Sequence, residues 1–252
     1  RSAPPPSSGG IALITMLNIL SNDSIDSWSR LEWVHYLTEV MRLAYWQRVE
    51  AIGDPDFMDH SWSELLTMNH AKHLRGLIKP NRALSSDSLS KKPSGSSEGY
   101  HTTHFSILDK EGNWVSATLS INYIFGSSFV AEGTGVLLND EMDDFSAKPG
   151  SPNMYGLIGS EANSITPEKR MLSSMTPTII LKNGKPFMVI GTPGGSTIIT
   201  TVLQVIINVI DFGMNIQEAI NAPRIHHQSL PDKLMYEKNA LSTETIEKLQ
   251  SM

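Results

Sequence analysis

Two kinds of sequence meet at Tyr100-His101-Thr102-Thr103-His104-Phe105-Ser106. Upstream, from about residue 79 to residue 101, serine, glycine, proline and lysine dominate, and almost no side chain suits a hydrophobic core. This composition is typical of an exposed, flexible linker. Downstream, apolar residues recur at every second position, which is the pattern of a β-strand with one buried face. The junction therefore predicts a linker that runs directly into a strand near Thr102.

The rest of the sequence predicts hairpins and helices. Alternating apolar residues around polar turns predict two β-hairpins, at 105–122 and 178–191. Apolar residues at helical spacing predict helices at 27–53, 62–78, 196–209 and 216–221. Hairpins with helices to either side favour the α+β class with layered packing.

Composition excludes several classes of protein. Hydrophobic residues make up 40% of the sequence, charged residues 18%, and the net charge is −6, as in an ordinary globular protein. We expect no membrane insertion by this chain, because no apolar run reaches about 18–20 residues. The scattered basic residues argue against a nucleic-acid partner. We expect no cofactor and no metal, since cysteine is absent and His101, His104 and His226-His227 lack zinc-site spacing.

Thr102 is the candidate nucleophile. A threonine hydroxyl is a poor nucleophile at neutral pH unless a base lies beside it. Scission of the chain before Thr102 would create an α-amino group, with an ordinary pKa near 8, that can act as this base. The preceding linker would then be the segment that is cut and moves away. Taken alone, however, the pattern favours an ordinary polar loop entering a strand.

Gly194-Gly195-Ser196 follows a predicted strand and opens a predicted helix. Successive glycines allow backbone N–H groups to converge, and the helix N-terminus adds positive potential there. An oxyanion hole requires this arrangement. The same turn could cradle a phosphate, but the longer glycine-lysine pattern of a P-loop is absent. A plain structural turn is the default interpretation.

An acidic cluster, Asn139-Asp140-Glu141-Met142-Asp143-Asp144-Phe145, follows the first hairpin. Such a run is usually a solvated loop, although it could bind a divalent metal or a substrate ammonium group. It does not match a calcium loop, because no glycine lies centrally and no closing glutamate follows. Further along, Ser173-Ser174 could donate hydroxyl hydrogen bonds to a carboxylate, or could simply form a turn.

Taken together, these segments closely resemble the γ-glutamyltranspeptidase family. The matching stretches occur in the family's order and cover nearly the whole chain. They are Pro4-Pro5-Pro6-Ser7-Ser8-Gly9-Gly10, Gly53-Asp54-Pro55-Asp56-Phe57, Thr102-Thr103-His104-Phe105-Ser106, Asn139-Asp140-Glu141-Met142-Asp143-Asp144-Phe145, Leu172-Ser173-Ser174-Met175-Thr176-Pro177-Thr178, Pro193-Gly194-Gly195-Ser196 and Ala222-Pro223-Arg224. Each stretch alone is a weak signal, but the ordered set is highly specific.

The resemblance implies a precursor that cuts itself, here between His101 and Thr102, and folds as a four-layer αββα sandwich of the N-terminal-nucleophile hydrolase type. Residues 1–101 would be the C-terminal part of a large subunit, ending in the linker. Residues 102–252 would be the small catalytic subunit without its C-terminal end. The family's upstream carboxylate-binding arginine lies outside this sequence. We therefore expect either that the remainder of the large subunit completes the site or that this is a truncated, inactive chain.

The same resemblance implies roles for individual residues. Thr102 would form a γ-glutamyl ester, and Ser120, where many relatives have threonine, would assist its amine. Asn122, Glu141 and Asp144 would bind the substrate α-amino group, and Ser173 and Ser174 would bind its α-carboxylate. Gly194 and Gly195 would bind the oxyanion. Tyr155 would lie in a lid loop that closes over the glutamyl group.

The implied function is that of a glutathione hydrolase and γ-glutamyl transferase in the periplasm or outside the cell, with glutathione as the small-molecule substrate. A related acylase, acting on a cephalosporin side chain, a glutaryl amide or poly-γ-glutamate, is one alternative. A non-catalytic relative is the other. The acidic cluster and the lid favour a small glutamyl substrate. If residues on both sides of Thr102 remain one continuous chain, the molecule is an uncleaved precursor with a blocked nucleophile.

Overall fold

The computed structural model describes residues 1–59, 61–89, 102–153 and 156–252. Helices and strands alternate in groups, as the α+β class requires. In chain order they are α1 (Gly9–Leu20), α2 (Arg30–Ala51), α3 (Met68–Leu77), α4 (Ser86–Leu89), β1 (Thr102–Leu108), β2 (Trp114–Ser120), β3 (Val130–Ala131), β4 (Val136–Leu137), β5 (Thr178–Lys182), β6 (Lys185–Ile190), α5 (Ile198–Ile210), α6 (Ile216–Asn221), β7 (Ile225–His226), β8 (Met235–Tyr236) and α7 (Thr243–Gln250). Short 3-10 helices include Trp62–Leu66, Glu141–Asp144, Glu161–Asn163 and Gly195–Thr197.

A layer of helices forms the hydrophobic core. α1 packs against α2, α3 and α5. The first turn of α2 is closed by a capping box, in which Ser29 Oγ accepts from the Glu32 N–H and the Glu32 carboxylate accepts from the Ser29 N–H. The side chains at the centre of the layer are fully buried and include Leu13, Met16, Leu37, Met41 and Ile199. Among the described residues, none of the helices is both long enough and apolar enough to cross a bilayer.

Two antiparallel hairpins lie against each other beside this layer. In the first, β1 pairs with β2 from Thr102 opposite Ser120 to Leu108 opposite Trp114. In the second, β5 pairs with β6. The hairpins are in contact, and Ser116 Oγ donates a hydrogen bond to the Ile190 carbonyl at 3.1 Å. Thr102 is thus the first paired residue of a strand whose position is set by a second hairpin.

The exposed linker predicted from about residue 79 is exposed at residues 79–82, but the prediction is wrong at Leu84, Ser86 and Leu89. Leu84 and Leu89 pack against the helical core. Ser86 is fully buried, where its hydroxyl accepts a 2.5 Å hydrogen bond from Arg42 and its N–H donates to Asp232 at 2.9 Å. Polar partners elsewhere in the fold therefore hold this stretch, although its composition suggested a solvated one. Residues 90–101 lie outside the described residues.

Candidate active site

Most of the predicted site residues line one small cavity of about 30 Å³, room for about one water molecule. These are Thr102, Ser120, Asn122, Glu141, Asp144, Ser173, Ser174 and Gly195. Leu157, Met175, Ser196 and Ile198 complete the lining. Gly194 immediately precedes the lining residue Gly195, whereas His101 and Tyr155 lie outside the described residues. Residues distant in sequence therefore converge on one small cavity.

The pairing of β1 with β2 places the Thr102 and Ser120 hydroxyls together. Their oxygen atoms lie 3.3 Å apart, because the two residues are a cross-strand pair. Ser120 Oγ also accepts a 2.9 Å hydrogen bond from the Asn122 N–H. With that acceptor position used, the Ser120 hydroxyl hydrogen can be donated to Thr102. The arrangement fixes the threonine oxygen at the wall of the cavity.

Asn122 connects the end of β2 to the acidic loop. Its φ of 69° lies in the left-handed region, which asparagine adopts more readily than most residues. Its side-chain amide donates to the Asp140 carbonyl at 3.3 Å, and the Tyr123 N–H donates to the Asp140 carboxylate at 3.2 Å. The Tyr123 hydroxyl binds Asp143. These contacts hold the 3-10 helix Glu141–Asp144 beside the predicted nucleophile.

Two of the three carboxyl groups of this 3-10 helix, those of Glu141 and Asp144, are electrostatically unusual. Burial and then the neighbouring charge of Glu141 raise the pKa of Asp144 to about 8, although the Arg48 charge partly offsets this. Burial also raises the pKa of Glu141. Among the described residues, Glu141 Oε1 is buried without a hydrogen-bond partner. Such a pair is suited to a cationic ligand, which would favour ionised carboxylates and satisfy the free oxygen.

The proline-serine-glycine stretch near the start of the chain positions the Ser173-Ser174 loop. The Ser8 N–H and Oγ both donate to the Ser173 carbonyl, at 2.8 and 2.7 Å, and the Ser173 N–H donates to the Pro6 carbonyl at 3.1 Å. Only glycine fits at position 9, because a Cβ atom there would overlap the Thr176 side chain and the Met175 carbonyl. The motif therefore holds the serine loop at the cavity wall.

The Gly194-Gly195 turn opens α5 through a 3-10 helix. The φ angles are 140° at Gly194 and 55° at Gly195, in the region that favours glycine. The Thr197 N–H and hydroxyl both donate to the Gly194 carbonyl, at 3.0 and 2.8 Å. Within the part of the chain that the structure describes, we see no hydrogen bond from the N–H group of either glycine. Unused donors at a helix N-terminus are suited to developing negative charge.

Sequence reasoning missed two residues that support the cavity. Arg48, buried on α2, donates from Nε to Ser8 Oγ at 2.9 Å and from Nη2 to Ser174 Oγ at 3.4 Å. Asn163 links the two sides of the site, because its amide donates to the Asp144 carbonyl at 2.7 Å and its carbonyl accepts from the Leu172 N–H at 2.9 Å. The sequence holds no periodic or motif signal for either residue.

The Gly53-Asp54-Pro55-Asp56-Phe57 stretch also acts from outside the cavity. The Asp54 carboxylate is fully buried and accepts hydrogen bonds from the Arg170 backbone N–H at 2.7 Å and from its guanidinium at 2.5 and 3.0 Å. The side-chain hydrogen bond from Arg170 lowers the pKa of Asp54 to about 2. This ion pair anchors the chain immediately before the serine loop.

The histidines make structural contacts rather than grouping around an ion. His226 Nδ1 lies 2.8 Å from Thr200 Oγ1 and Nε2 lies 2.9 Å from Gln228 Oε1, and burial lowers the His226 pKa to about 4. His104 Nδ1 lies 2.9 Å from Thr118 Oγ1. No group of three histidine, aspartate or glutamate side chains able to hold a metal occurs within the described ranges.

Comparison with known proteins gives consistent matches. The sequence profile of a family described as gamma-glutamyltranspeptidase matches residues 1–252. The glutathione hydrolase proenzyme of Pseudomonas sp. (strain A14) is 50% identical over 253 residues, covering 99% of this chain and 44% of the relative. The chain therefore spans less than half the length of this curated relative.

Solved structures show the same relationship in three dimensions. A gamma-glutamyltranspeptidase structure from Helicobacter pylori is 58% identical, with a TM-score of 0.57, and covers 59% of this chain and 80% of that one. A cephalosporin acylase from Bacillus halodurans is 25% identical, with a TM-score of 0.79 over 98% of this chain and 42% of that one.

Proposed function

The chain belongs to the γ-glutamyltranspeptidase family, and from this premise we propose that the protein cleaves the γ-glutamyl amide bond of glutathione and related compounds. The acyl group then passes to water, to an amino acid or to a peptide. The observation that carries the proposal is that one cavity is lined by Thr102, by the Glu141 and Asp144 carboxyl groups and by Ser173-Ser174. In this proposal Thr102 supplies the nucleophile, the two carboxyl groups bind the substrate ammonium group, and the two serines bind its carboxylate.

The two ends of a γ-glutamyl group match the two sides of this cavity. Its α-ammonium donates to the free Glu141 oxygen, to Asp144 and to the Asn122 side chain, and its charge draws both carboxyl groups into their ionised form. Its α-carboxylate accepts hydroxyl hydrogen bonds from Ser173 and Ser174. With both ends held, the γ-carbonyl is placed against Thr102, so that much of the catalysis is positioning.

The chemical steps follow from the residues around Thr102. Hydrolysis of the His101–Thr102 peptide bond by one water molecule gives a carboxyl group on His101 and frees the α-amine of Thr102. This amine accepts the proton of Thr102 Oγ1 as the oxygen attacks the γ-carbonyl carbon. The Gly194 and Gly195 N–H groups donate to the resulting oxyanion. Collapse breaks the C–N bond, and the amine leaves with the proton. Water or an acceptor amine then attacks the γ-glutamyl ester and restores the hydroxyl, while Ser120 orients the amine and oxygen.

In this proposal residues 1–101 belong to the large subunit and residues 102–252 to the small one. In support, the Helicobacter pylori chain covers 59% of this chain, close to the share that residues 102–252 make up. The remainder of the large subunit is the proposed partner and would supply the upstream arginine. Exposed apolar side chains on one face of the first hairpin, including Phe105, Ile107 and Leu119, support further polypeptide packing there. The family resemblance favours a periplasmic or extracellular location, which cell fractionation tests.

The experiment begins with the whole purified protein. Denaturing electrophoresis and mass spectrometry should show two polypeptides divided before Thr102, and the protein should release chromophore from a γ-glutamyl anilide. We expect Thr102→Ala to remain one band and to lose about 1000-fold or more in rate, because it removes both the nucleophile and the new amine. Thr243→Ala, an exposed position at the start of α7 that does not line the cavity, is the matched control and should behave as wild type. A wild-type protein that never splits would exclude the enzyme function.

The likeness to a cephalosporin acylase over 98% of the chain makes an acylase the second candidate. A γ-glutamyl anilide and a glutaryl anilide differ only in the α-ammonium group that Glu141 and Asp144 would recognise. We expect at least about a 30-fold preference in kcat/KM for the γ-glutamyl compound, since losing one buried charge partner costs about 2–5 kcal/mol. Equal or better cleavage of the glutaryl compound would establish the acylase instead.

A further inference from the structure

Arg48 is a buried cation at the base of the candidate active site. It lies near the end of α2 and is 5% exposed. A buried charge is costly unless it is paired and hydrogen-bonded. Its hydrogen bonds lead to Ser8 at 2.9 Å and to Ser174 at 3.4 Å, on two segments far apart in sequence. The contacts of this guanidinium therefore face the substrate-binding loops.

We propose that Arg48 is a positioning residue of the γ-glutamyl site, which orients the Ser174 hydroxyl and, through Ser8, the serine loop. This inference rests on the proposed function and adds a residue to it. Arg48 does not line the cavity, so its effect on a substrate is exerted through Ser174, Ser8 and Asp144.

The direction of the hydrogen bonds determines what Arg48 does to the serines. An arginine side chain carries donors only, so Ser174 Oγ must be the acceptor in this contact. The Ser174 hydroxyl hydrogen then remains available for a substrate carboxylate. Ser8 extends the same chain, because its Oγ accepts from Arg48 and donates to the Ser173 carbonyl at 2.7 Å. One guanidinium thus orders both sides of the serine loop.

Charge provides the second part of the argument. Burial and the nearby charge of Glu141 raise the pKa of Asp144, whereas the positive charge of Arg48 opposes this and favours the ionised form. Without this charge, ionising Asp144 for an ammonium ligand would be more costly. Arg48 would therefore assist recognition at both ends of the substrate, although it is placed to touch neither.

The test compares Arg48→Gln and Arg48→Lys with Arg42→Gln in the whole processed protein. Arg42 is the matched control, since it is another buried arginine on α2, 4% exposed, and it contacts none of the cavity residues. We expect Arg48→Gln to raise KM for a γ-glutamyl anilide about tenfold or more, with a smaller change in kcat. Arg48→Lys, which keeps the charge but cannot make both contacts, should raise KM about fivefold. Arg42→Gln should lower the unfolding temperature and leave KM within about twofold.

A double-mutant cycle shows whether Arg48 acts through Ser174. If it does, Arg48→Gln combined with Ser174→Ala raises KM by clearly less than the product of the two single effects. Fully multiplicative effects would overturn the proposal, as would a wild-type KM in the folded Arg48→Lys protein. The lysine variant decides alone if the glutamine variant does not fold. An equal KM rise in Arg42→Gln would also overturn it. If the wild type is active and all Arg48 variants have the same KM as the wild type, only this inference is refuted. If the wild type is neither split nor active, both the proposed function and this inference are refuted.

Discussion

Two buried clusters built from the same helix differ in how completely their charges are satisfied. Both contain an arginine of α2 and an aspartate from a later loop. In the first, Arg42 binds Asp232, and hydrogen bonds to Asp232 lower its pKa well below the ordinary value even though burial alone would raise it. In the second, the Arg48 charge lies near Asp144, yet burial and Glu141 raise the pKa of Asp144 to about 8. The aspartate pKa is therefore lowered in one cluster and raised in the other, although both clusters contain an arginine of the same helix.

The difference arises from hydrogen-bond partners. In the Arg42 cluster Glu39 accepts from Arg42 at 3.1 Å and from the Leu84 N–H at 2.8 Å. Asp232 accepts from Ser86 at 2.9 Å, and His227 Nε2 lies 3.1 Å away. Since the Ser229 N–H donates to His227 Nδ1, Nε2 carries the proton and donates to Asp232. In the cavity, Glu141 Oε1 lacks a partner among the described residues. A satisfied cluster contributes stability, whereas an unsatisfied one reserves its groups for a ligand.

The largest expected effect is on activity, from Asp144→Asn. This change keeps the shape of the side chain but removes the charge that would bind a substrate ammonium. We expect kcat/KM for a γ-glutamyl anilide to fall about 30-fold or more, because losing one partner of a buried charge pair costs about 2–5 kcal/mol. Steady-state kinetics on the processed protein measures it. A loss of kcat/KM below about threefold would contradict the assignment of Asp144 to substrate binding.

The second effect is on stability, from Asp232→Asn. The folded-state pKa of Asp232 is lowered, so its contribution is present above the unfolded pKa near 3.9 and is lost as pH falls towards the folded pKa. We expect a loss of about 2 kcal/mol at pH 7, discounted because Asp232 is 38% exposed. Urea unfolding should show a smaller difference from wild type at pH 3. The kcat of the folded variant should equal that of wild type. A large fall in kcat would show that the Arg42 cluster also contributes to activity, against the proposed difference between the two clusters.

The smallest effect is a gain in stability from Asp144→Asn at alkaline pH. The folded-state pKa of Asp144 is raised, so its favourable contribution is complete below the unfolded pKa and is lost as pH rises towards about 8. The asparagine variant has no such loss. We expect it to exceed wild type by at least about 1 kcal/mol at pH 9, the value of a shift of about one unit, and by less at pH 4.5. Ligand-free thermal unfolding at both pH values tests the sign, and a variant less stable at pH 9 would contradict it.

The regular part of the fold was predictable from periodicity. Both hairpins, the long helix α2 and the helices α5 and α6 lie where their apolar spacing predicted, and the α+β fold of the N-terminal-nucleophile hydrolase type is confirmed by the solved relatives. The helix predicted at 62–78 divides into a 3-10 helix and α3, because Thr67 caps the second by accepting from the His70 N–H at 3.2 Å. Strands of two residues, such as β7, are too short to have a period.

The site was predictable in part and for different reasons. The junction at Thr102 suggested a nucleophile but alone favoured an ordinary loop. The roles of Thr102 and of the acidic and serine residues therefore rested on the family resemblance, and they stay predictions. Arg48 was missed because an arginine in the last turn of a helix is usually solvent-exposed. Its burial depends on Ser8 and Ser174, which no local pattern connects to it.

The position of Thr102 at the very first rung of its strand bears on how such a protein would mature. Among the described residues, the pairing with Ser120 begins at Thr102 itself, so breaking the preceding peptide bond would leave this pair in place. The groups around the new terminus are in place before the break occurs. Under the proposed function, cleavage of the bond before Thr102 would then switch on activity in a molecule that has already folded. Until that cleavage, the newly made protein could fold without hydrolysing the glutathione around it.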